Sequence, residues 1–461
     1  MGLVTATGTA IPESRLAELG EAIRGRTITA QDADYDERKQ IWNGYFQKSP
    51  GAIVQVDGAS DVVKVVNFAR ENDIELAIKG GGHCFAGTGT VEGGLLLDTS
   101  RLRGIHVDPA KRRLVVQPGL EQGDVDAETT SFGLAVTGSQ ESYIGIGGLT
   151  LGGGLGWLAR YRGLLVDNLI SADLVLADGR LVTATKDEHP DLFWAIRGGG
   201  GNYGVATRFE FDLHPQGDCM AGLLAFPIDQ TVDVARRLDE FNRTAPDELT
   251  TSFAFLTAPD GSPAIGLGFV HADPDESTES LIGQMRGLGT GALLDFCGPM
   301  PYVAVQRMLD ENTVAGHRYY PRSFLLPELR DEPLQILADG FVNAPSERSL
   351  VGGGLMGGVM SNVPASETPF LHREGYLTSI LTSWTDPAKD EEAVEWTEKV
   401  YAELLPYTTG AVYANHLGAD SAERIEDAYG SNYERLTRIK ADYDPQNFFH
   451  TNNNIKPADR A

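Results

Sequence analysis

The sequence predicts an α+β protein built from two domains and a short C-terminal segment. With 461 residues, the chain exceeds the roughly 100–200 residues of one ordinary domain. Its 41% hydrophobic and 22% charged residues are typical of a globular protein with a large buried core. Glycine clusters crowd the chain up to about residue 215 and thin out after it. We therefore place a first domain at 1–215, a second at 216–409 and the C-terminal segment at 410–461.

The first domain alternates short β-rich runs with glycine clusters and amphipathic helical stretches. This alternation is typical of an α/β arrangement, in which strands and helices follow one another along the chain. The candidate strands are Ala52–Val56, Leu95–Asp98, Leu114–Val116 and Leu174–Ala177.

The second domain mixes helical stretches with longer candidate strands, which predicts an antiparallel sheet backed by helices and shaped to bind a substrate. The helical stretches are Thr231–Thr244, Glu276–Leu288, Tyr302–Leu309 and Asp390–Leu405. The candidate strands are Ser252–Leu256, Ala264–Val270, Ser349–Ser361 and Tyr376–Trp384. The C-terminal segment contains a predicted helix, Ser421–Lys440, followed by a break at Asp444-Pro445 and an asparagine-rich tail.

Acidic residues dominate the charge of the chain. Asp and Glu number 65 against 38 Lys and Arg, which gives a formal net charge of −27. Such a field repels phosphate backbones and anionic lipids, so we expect neither nucleic acid nor a membrane as a partner. The basic residues are mostly arginine. Acidity with scarce lysine fits a salt-adapted, halophilic host, and a G+C-rich genome would produce much of the same composition.

Cysteine usage and the N-terminus point to a cytoplasmic enzyme. Three widely spaced cysteines, Cys84, Cys219 and Cys297, provide neither a disulfide framework nor the paired spacing of a metal site, so we expect no metal. Residues Met1–Ala10 lack a basic start followed by an apolar stretch, and no run of about 18 apolar residues occurs.

The main candidate ligand-binding segments are three glycine-rich stretches: Ile78–Gly87, Gly145–Gly156 and Arg197–Gly204. Consecutive glycines let backbone N–H groups converge on an anion, because no side chain blocks its approach. A dinucleotide pyrophosphate fits such a loop. Each stretch alone is as consistent with tight turns or close packing. The Rossmann spacing fails, because Thr150 stands where its third glycine should fall, and the nucleoside-triphosphate P-loop motif does not occur.

Several further motifs accompany these loops in a fixed order along the chain. They are Tyr35-Asp36 with Trp42-Asn43, Lys79-Gly-Gly-Gly-His83, Asp98-Thr99-Ser100, Gly147-Gly148 through Gly156, Asp167-Asn168, Arg197 through Gly204, Tyr413-Ala414-Asn415 and Tyr443 through Phe449. Over nearly the whole chain this order resembles the vanillyl-alcohol oxidase/berberine bridge enzyme-like family of FAD-binding, PCMH-type oxidoreductases. The resemblance implies an FAD-binding domain in two parts, 1–215 and 410–461, with the substrate domain inserted between them.

The resemblance also implies that FAD is bonded covalently to His83. The further residues that it places at the cofactor are Lys79, Gly80, Gly81, Gly82, Cys84, Gly87, Ser100, Glu141, Ile144, Gly147, Gly148, Gly152, Gly154, Asn202, Tyr203, Gly204, Asn415, Asn452 and Asn454.

Two positions depart from the family pattern. Doubly linked members carry a second flavin bond from a cysteine where this chain has Glu141, so we expect His83 to be the single link and Cys84 to be a packed thiol. Lys79 stands where related loops usually have arginine. Lysine keeps the charge but lacks the bidentate fork of the guanidinium group, so we expect altered contacts at this position.

The catalytic base is the least determined residue. Several relatives carry a tyrosine base where this chain has His416, and histidine, with a reference pKa of about 6.5, can accept a proton near neutrality. A structural, hydrogen-bonded role for His416 is equally open. Tyr376 and Tyr143 are the other candidates, although packing explains each of them as well.

The expected reaction is oxidation of a C–H bond next to an O–H or N–H group of a small organic substrate, with O₂ reoxidising the flavin. Ile144 borders the oxygen side in the resemblance, where small residues are typical of oxidases and larger ones of dehydrogenases, so a dehydrogenase remains an alternative. Oxidative cyclisation or rearrangement in secondary metabolism and non-catalytic flavin binding also stay open. The sequence names neither the substrate nor the oligomeric state.

Overall fold

A computed structural model describes residues 2–418 and 421–459. The strands are β1 (Arg26–Ile28), β2 (Ala52–Gln55), β3 (Leu76–Lys79), β4 (Leu95–Asp98), β5 (Ile105–Asp108), β6 (Arg113–Val116), β7 (Leu134–Ala135), β8 (Leu169–Val175), β9 (Leu181–Thr185), β10 (Val205–Asp212), β11 (His214–Pro215), β12 (Cys219–Pro227), β13 (Leu249–Thr257), β14 (Pro263–His271), β15 (Leu294–Met300), β16 (Arg318–Leu326), β17 (Leu350–Leu355) and β18 (Tyr376–Trp384). The helices are α1 (Glu13–Ala22), α2 (Tyr35–Arg38), α3 (Ala59–Glu71), α4 (Gln122–Thr130), α5 (Ile146–Gly152), α6 (Ala159–Arg162), α7 (Pro190–Ile196), α8 (Thr231–Asn242), α9 (Thr278–Arg286), α10 (Tyr302–Val305), α11 (Asp331–Val342), α12 (Asp390–Leu404), α13 (Ser421–Tyr429) and α14 (Tyr433–Tyr443). None of the helices in these described ranges is long and apolar enough to cross a membrane.

The first domain contains two principal sheets. One has the strand order β1-β2-β4-β3, in which β2, β4 and β3 run parallel. Every residue of β2 and β4 is buried, as expected for parallel strands that are covered on both faces. The other sheet has the order β5-β6-β10-β8-β9 and is antiparallel. The first glycine stretch begins where β3 ends, at the carboxyl edge of the parallel strands.

The second domain is a seven-stranded antiparallel sheet of order β15-β12-β14-β13-β17-β18-β16. Helices α8, α11 and α12 cover one of its faces. Side chains of alternate residues, such as Phe253, Leu267 and Ile380, form a core with these helices. The neighbouring residues along each strand point to the opposite face, because the side-chain period of a strand is two. That opposite face is turned towards the first domain.

The C-terminal segment packs onto the first domain. Leu436, Ile439 and Ile455 belong to the same buried cluster as Phe209 of β10. The Tyr203 hydroxyl donates a hydrogen bond to the Leu436 carbonyl at 3.1 Å. The first domain is therefore completed by residues from both ends of the chain.

Two predicted elements differ from the structure because of glycines with positive φ. The predicted strand Ser349–Ser361 stops at Leu355, since Gly357 and Gly358 adopt φ values of 100° and 66° and begin a short 3₁₀ helix. The predicted helix Ser421–Lys440 is divided into α13 and α14 at Gly430, whose φ is 46°. Positive φ is accessible to glycine at little cost, so these positions interrupt regular structure.

Candidate active site

A cavity of about 1390 Å³ lies between the first domain and the face of the second-domain sheet that is not covered by helices. Residues of all three glycine stretches line it, including Gly80–Cys84 of the first, Gly145, Gly147 and Gly148 of the second, and Gly200–Asn202 and Gly204 of the third. The first two stretches touch, since a Cβ atom at Gly81 would lie 2.7 Å from the backbone nitrogen of Gly145. Side chains are therefore excluded where these loops cross. The contact between the two loops thus explains why both Gly81 and Gly145 are glycine.

The cavity wall fits a dinucleotide. A Cβ atom at Gly148 or Gly201 would meet no atom within 4 Å, so both backbones are open to a ligand. Four polar atoms around the cavity, Trp42 Nε1, Ser349 Oγ, Asn452 Oδ1 and Asn453 Oδ1, are buried without a hydrogen-bond partner in the described residues. Buried polar groups are normally paired, so these atoms fit a site for polar ligand groups. No cluster of three or more metal-ligating side chains occurs in residues 2–418 and 421–459.

Thirteen of the predicted cofactor residues line the cavity. They are Gly80, Gly81, Gly82, His83, Cys84, Glu141, Ile144, Gly147, Gly148, Asn202, Gly204, Asn415 and Asn452. Seven others are not among the lining residues: Lys79, Gly87, Ser100, Gly152, Gly154, Tyr203 and Asn454. Their neighbours Thr99 and Asn453 line the cavity where Ser100 and Asn454 were expected.

Several of the predicted cofactor residues that do not line the cavity pack behind the residues that do. The Lys79 ammonium donates to the Arg38 carbonyl and lies 3.9 Å from the buried Asp98 carboxylate, and desolvation lowers the pKa of Lys79. Tyr203 is fully buried against α14. A Cβ atom at Gly152 would lie 2.1 Å from Asn415 Oδ1. These residues hold the loops in place without facing the ligand space.

His83 lies between two aromatic side chains at the cavity wall. Its ring centroid is 5.3 Å from that of Trp42 and 5.1 Å from that of Tyr143, which stacks on it. Burial among these groups lowers the pKa of His83 to about 4, so the imidazole is neutral at neutral pH. The described part of the chain provides no hydrogen-bond partner for either ring nitrogen. The Sγ atom of the adjacent Cys84 is 2.9 Å from Thr88 Oγ1.

Tyr143 and Glu141 belong to a loop that the second domain holds from the other side. The Tyr143 hydroxyl hydrogen-bonds to Thr313, and burial raises its pKa. The Ser142 amide and hydroxyl donate to the Asp310 carboxylate at 2.8 and 2.6 Å. Burial, with the negative charge of Asp310 in addition, raises the pKa of Glu141 to about 7. A carboxyl group that titrates near neutrality therefore lines the cavity two residues before Tyr143, which stacks on His83.

His416 also lines the cavity, in a short 3₁₀ turn, Ala414–His416, and its ring centroid is 6.0 Å from that of Phe85. Its Nδ1 atom is 3.5 Å from Ser323 Oγ on β16 and 3.4 Å from Ser379 Oγ on β18. Burial lowers the pKa of His416 to about 4, well below the usual histidine value of about 6.5. The imidazole is therefore neutral at neutral pH.

Asn415 and Tyr413 connect this turn to the second glycine stretch. The Asn415 amide donates to the Tyr413 hydroxyl at 3.0 Å and approaches the Gly148 carbonyl at 3.4 Å. The Tyr413 hydroxyl also accepts the Gly154 N–H at 3.2 Å. The turn that carries His416 is thus fastened to the cofactor loops.

Tyr376, the third candidate base, points away from the cavity. Its hydroxyl donates to Asp239 Oδ1 at 3.0 Å and accepts from Asn242 Nδ2 at 2.9 Å. Both partners are on α8, in the helix-covered core of the second domain. Because residues alternate along β18, Ser379 faces the cavity while Tyr376 faces the helices. The structure therefore gives Tyr376 a packing role.

Arg160 is a wall residue that the sequence did not reveal. Its guanidinium group is buried and donates to the carbonyl oxygens of Leu249 and Met356 at 2.8 and 2.7 Å. It joins α6 of the first domain to the second domain at the cavity edge. Its partners are backbone atoms 89 and 196 residues away, so no local sequence pattern marks it.

Comparisons with known proteins agree with this geometry. The FAD binding domain family model matches residues 50–185, and the berberine and berberine-like model matches residues 412–456. The chain is 33% identical over 446 residues to an FAD-linked oxidoreductase of Dictyostelium discoideum, covering 95% of this chain and 96% of that protein. It is 30% identical over 451 residues to (R)-6-hydroxynicotine oxidase of Paenarthrobacter nicotinovorans, covering 95% and 97%.

A solved structure shows the same architecture. The crystal structure of 6-hydroxy-D-nicotine oxidase from Arthrobacter nicotinovorans matches with a TM-score of 0.87 at 28% identity, over 95% of this chain and 98% of that one. These matches confirm the predicted α+β, PCMH-type fold and the prediction of an FAD-linked enzyme. The chain belongs to the vanillyl-alcohol oxidase/berberine bridge enzyme-like family of FAD-linked oxidoreductases.

Proposed function

We propose that this oxidoreductase carries FAD bonded covalently through His83 alone and oxidises a C–H bond next to an O–H or N–H group of a small organic substrate. The observation that carries the proposal is the state of His83 at the cavity wall. Its ring is neutral and stacked, and neither nitrogen is engaged by another described residue. A free lone pair is what bond formation to the cofactor requires. Glu141 leaves no thiol at the second-link position.

The reaction divides between cofactor and protein. Bound FAD would supply the hydride acceptor. In the balanced reaction the substrate loses a hydride from carbon and a proton from oxygen or nitrogen, and O₂ takes up both to become hydrogen peroxide. His416 is the proposed proton acceptor, since it lines the cavity unprotonated. If Nδ1–H donates to Ser379 or Ser323, Nε2 keeps its lone pair for the substrate proton.

A dehydrogenase is the second candidate function. Ile144 lines the cavity directly before Gly145. Its branched side chain would restrict the access of oxygen to the flavin, which favours a dehydrogenase. The name of the 30% identical relative, an oxidase, favours O₂. We therefore propose O₂ as the acceptor and test it separately through Ile144.

The linkage is tested by precipitating the purified protein with acid and mapping its peptides. We expect the yellow colour to stay with the protein and the flavin mass to lie on the peptide that contains His83. In His83→Ala the flavin should be released into the supernatant, whereas Cys84→Ser should retain it. Release of flavin from the unmodified protein would reject covalent attachment and leave FAD binding intact. Flavin on Cys84 would reject the assignment to His83.

The reaction class is tested with a panel of alcohols, amines and sugars added without oxygen. We expect at least one primary or secondary alcohol or amine to bleach the flavin absorbance, and peroxide to appear once air is admitted. Bleaching without peroxide, and reoxidation only by an artificial acceptor, would favour the dehydrogenase.

A further inference from the structure

The cavity continues far beyond the place where His83 and His416 lie. His416 contacts Ser379 on β18 and Ser323 on β16, at one edge of the second-domain sheet. The cavity is also lined by Leu223 on β12 and Phe296 on β15, at the opposite edge. In the strand order, β15 is five strand positions from β18. At about 4.8 Å per strand, the cavity crosses roughly 24 Å of sheet.

The sheet face under this cavity is made mainly of small residues. One row of cross-strand neighbours runs Leu377, Gly354, Ser252, Gly268 and Leu223, and all five line the cavity. A Cβ atom at Gly354 would meet nothing within 4 Å, so the floor is open above it. We call this row the sheet floor.

A second row repeats the pattern two residues along each strand. Ser379, Gly352 and Ala254 are cross-strand neighbours in it, and all three line the cavity. The large side chains of the same strands point to the opposite face, where they pack against the helices. The small residues therefore leave a smooth, continuous surface between the two edges of the sheet.

Apolar side chains enclose the far part of the sheet floor. Met300, Ala304 and Met308 line one side of the cavity. Phe296 lies at the far edge with 56% of its surface exposed. Ligand pockets are lined mainly by hydrophobic and aromatic side chains, so this part of the wall suits an apolar ligand.

Charged groups are few along this surface. Among the described lining residues, Glu141, Arg160 and Glu347 are the acidic or basic side chains besides the two histidines. The Arg160 guanidinium is engaged by backbone carbonyls, Glu347 is exposed, and Glu141 belongs to the His83 end. Burying a charged substrate group against the sheet floor without a partner would be costly.

We propose that the substrate is an elongated, uncharged and largely apolar molecule. Its oxidised end lies between His83 and His416, and its apolar tail lies along the sheet floor towards Phe296. The placement of the oxidised end rests on the proposed function. The tail site rests on the sheet floor and its walls alone.

The probes are 4-alkylbenzyl alcohols with chains from methyl to octyl, titrated anaerobically into the FAD-loaded protein. Binding is measured from the perturbation of the flavin absorbance before any bleaching. Because each buried methylene contributes favourably, we expect the dissociation constant to fall about two- to fourfold per added carbon. A dissociation constant independent of chain length, or no binding by any member, would overturn the proposal.

Two variants locate the tail. Gly354→Leu should leave the affinity for the methyl compound within about twofold and weaken the octyl compound at least about tenfold, because the new side chain fills the floor. Phe296→Ala should weaken the binding of only the compounds with the longest chains. This second variant still tests the tail site if Gly354→Leu does not fold. The control is Gly283→Leu, the same change on α9, where a Cβ atom also meets nothing within 4 Å. A uniform loss across the series in both cavity variants would reject the tail site.

The two proposals fail separately. Acid precipitation tests the His83 bond without any substrate, whereas the alkyl series needs only bound flavin as a reporter. Chain-length dependence with releasable flavin would retain the tail site and reject the covalent link.

Discussion

At the residue scale, His83 and His416 show how burial assigns a chemical state that the residue type leaves open. Both side chains line the cavity, and desolvation lowers the pKa of each to about 4. Burial in a low-dielectric site disfavours the charged imidazolium. Both histidines therefore present lone pairs at neutral pH, one for the proposed bond to the cofactor and one for the substrate proton.

His416→Gln tests the proton acceptor. Above a pH of about 5 His416 is unprotonated, and as the pH falls through about 4 it becomes protonated and can no longer accept. We expect anaerobic flavin reduction to be independent of pH on the neutral side and to decline near pH 4. The variant should lose at least about a hundredfold in this rate, since general bases contribute about 10²–10⁴-fold, and it should lose the acidic limb.

Stopped-flow flavin reduction between pH 4 and 9 provides the measurement, with retained covalent flavin as the control for folding. A loss below tenfold with the limb unchanged would remove His416 from the reaction. A limb near pH 7 would instead assign the proton to Glu141, whose pKa burial raises to about 7.

Ile144→Val tests the acceptor side. Removing one methyl group from the cavity wall beside Gly145 should enlarge the path for oxygen, so air should reoxidise the reduced flavin faster. Anaerobic reduction should stay nearly unchanged, because Ile144 is not one of the proposed substrate contacts. Stopped-flow mixing of the reduced protein with oxygenated buffer measures reoxidation, and anaerobic mixing of the oxidised protein with substrate measures reduction. Equal reoxidation rates in the two proteins would show that Ile144 does not restrict oxygen.

At the element scale, α14 fastens the C-terminal segment to the third glycine stretch. The Lys440 ammonium is fully buried and donates to the Asn202 carbonyl, the Asp444 carboxylate and the Phe449 carbonyl at 2.6, 2.7 and 2.9 Å. Asp444 also accepts the backbone N–H groups of Phe448 and Phe449. All donors and acceptors are thereby paired, which a buried ion pair requires.

Lys440→Met should lower the free energy of unfolding by about 3–5 kcal/mol, because it leaves the Asp444 carboxylate buried without its counter-charge. Adding Asp444→Asn in the same chain should recover part of the loss. Lys111→Met, which removes an exposed lysine paired with Asp108 at 3.0 Å, is the matched control and should change the free energy of unfolding little, because solvent screens an exposed ion pair. Urea unfolding measures all three. Equal stability of Lys440→Met and Lys111→Met would contradict the structural role of the buried pair.

At the scale of the whole molecule, the two domains meet along packed helices as well as around the cavity. Helix α4 of the first domain packs against α10 of the second. Asp126 on α4 is fully buried; its Oδ1 accepts from Gln122 Nε2 at 2.8 Å, and its Oδ2 has no partner among the described residues. Burial raises the pKa of Asp126 to about 8, so this carboxyl group is protonated at neutral pH.

This shift makes the stability of the protein depend on pH. The folded pKa lies above the unfolded reference value of about 3.9, so the contribution of protonated Asp126 is complete at low pH and is lost as the pH rises through 8. Asp126→Asn mimics the neutral form. It should match the parent near pH 4 and exceed its free energy of unfolding by a few kcal/mol, in order of magnitude, near pH 9.

Urea unfolding at several pH values measures this difference, and Asp442→Asn, at an exposed position, is the control. A difference between Asp126→Asn and its parent that stays constant with pH would contradict the burial of an ionisable carboxyl group at this interface.

The sequence by itself predicted the strands whose patterns are local. Leu95–Asp98 and Tyr376–Trp384 match β4 and β18 in both bounds, because their apolar residues and flanking turns are adjacent in the chain. It did not predict β12, β15 and β16. The edge strands β15 and β16 contain Pro299 and Pro321, and proline is tolerated at a sheet edge but reads as a strand breaker in the sequence. These segments become strands because they pair with β12 and β18, which are distant in the sequence.

The same division holds at the site. The glycine stretches, His83 and the order of the motifs were readable in the sequence, since backbone freedom and residue type are local properties and chain order identifies the family. Only the tertiary structure decided that His416 and Ser379 face the cavity while Tyr376 packs on α8. Only the structure showed that Thr99 replaces Ser100 at the wall and that burial shifts the pKa of His416. Orientation and burial depend on residues that are 37 to 137 positions apart, and these meet only when the chain is folded.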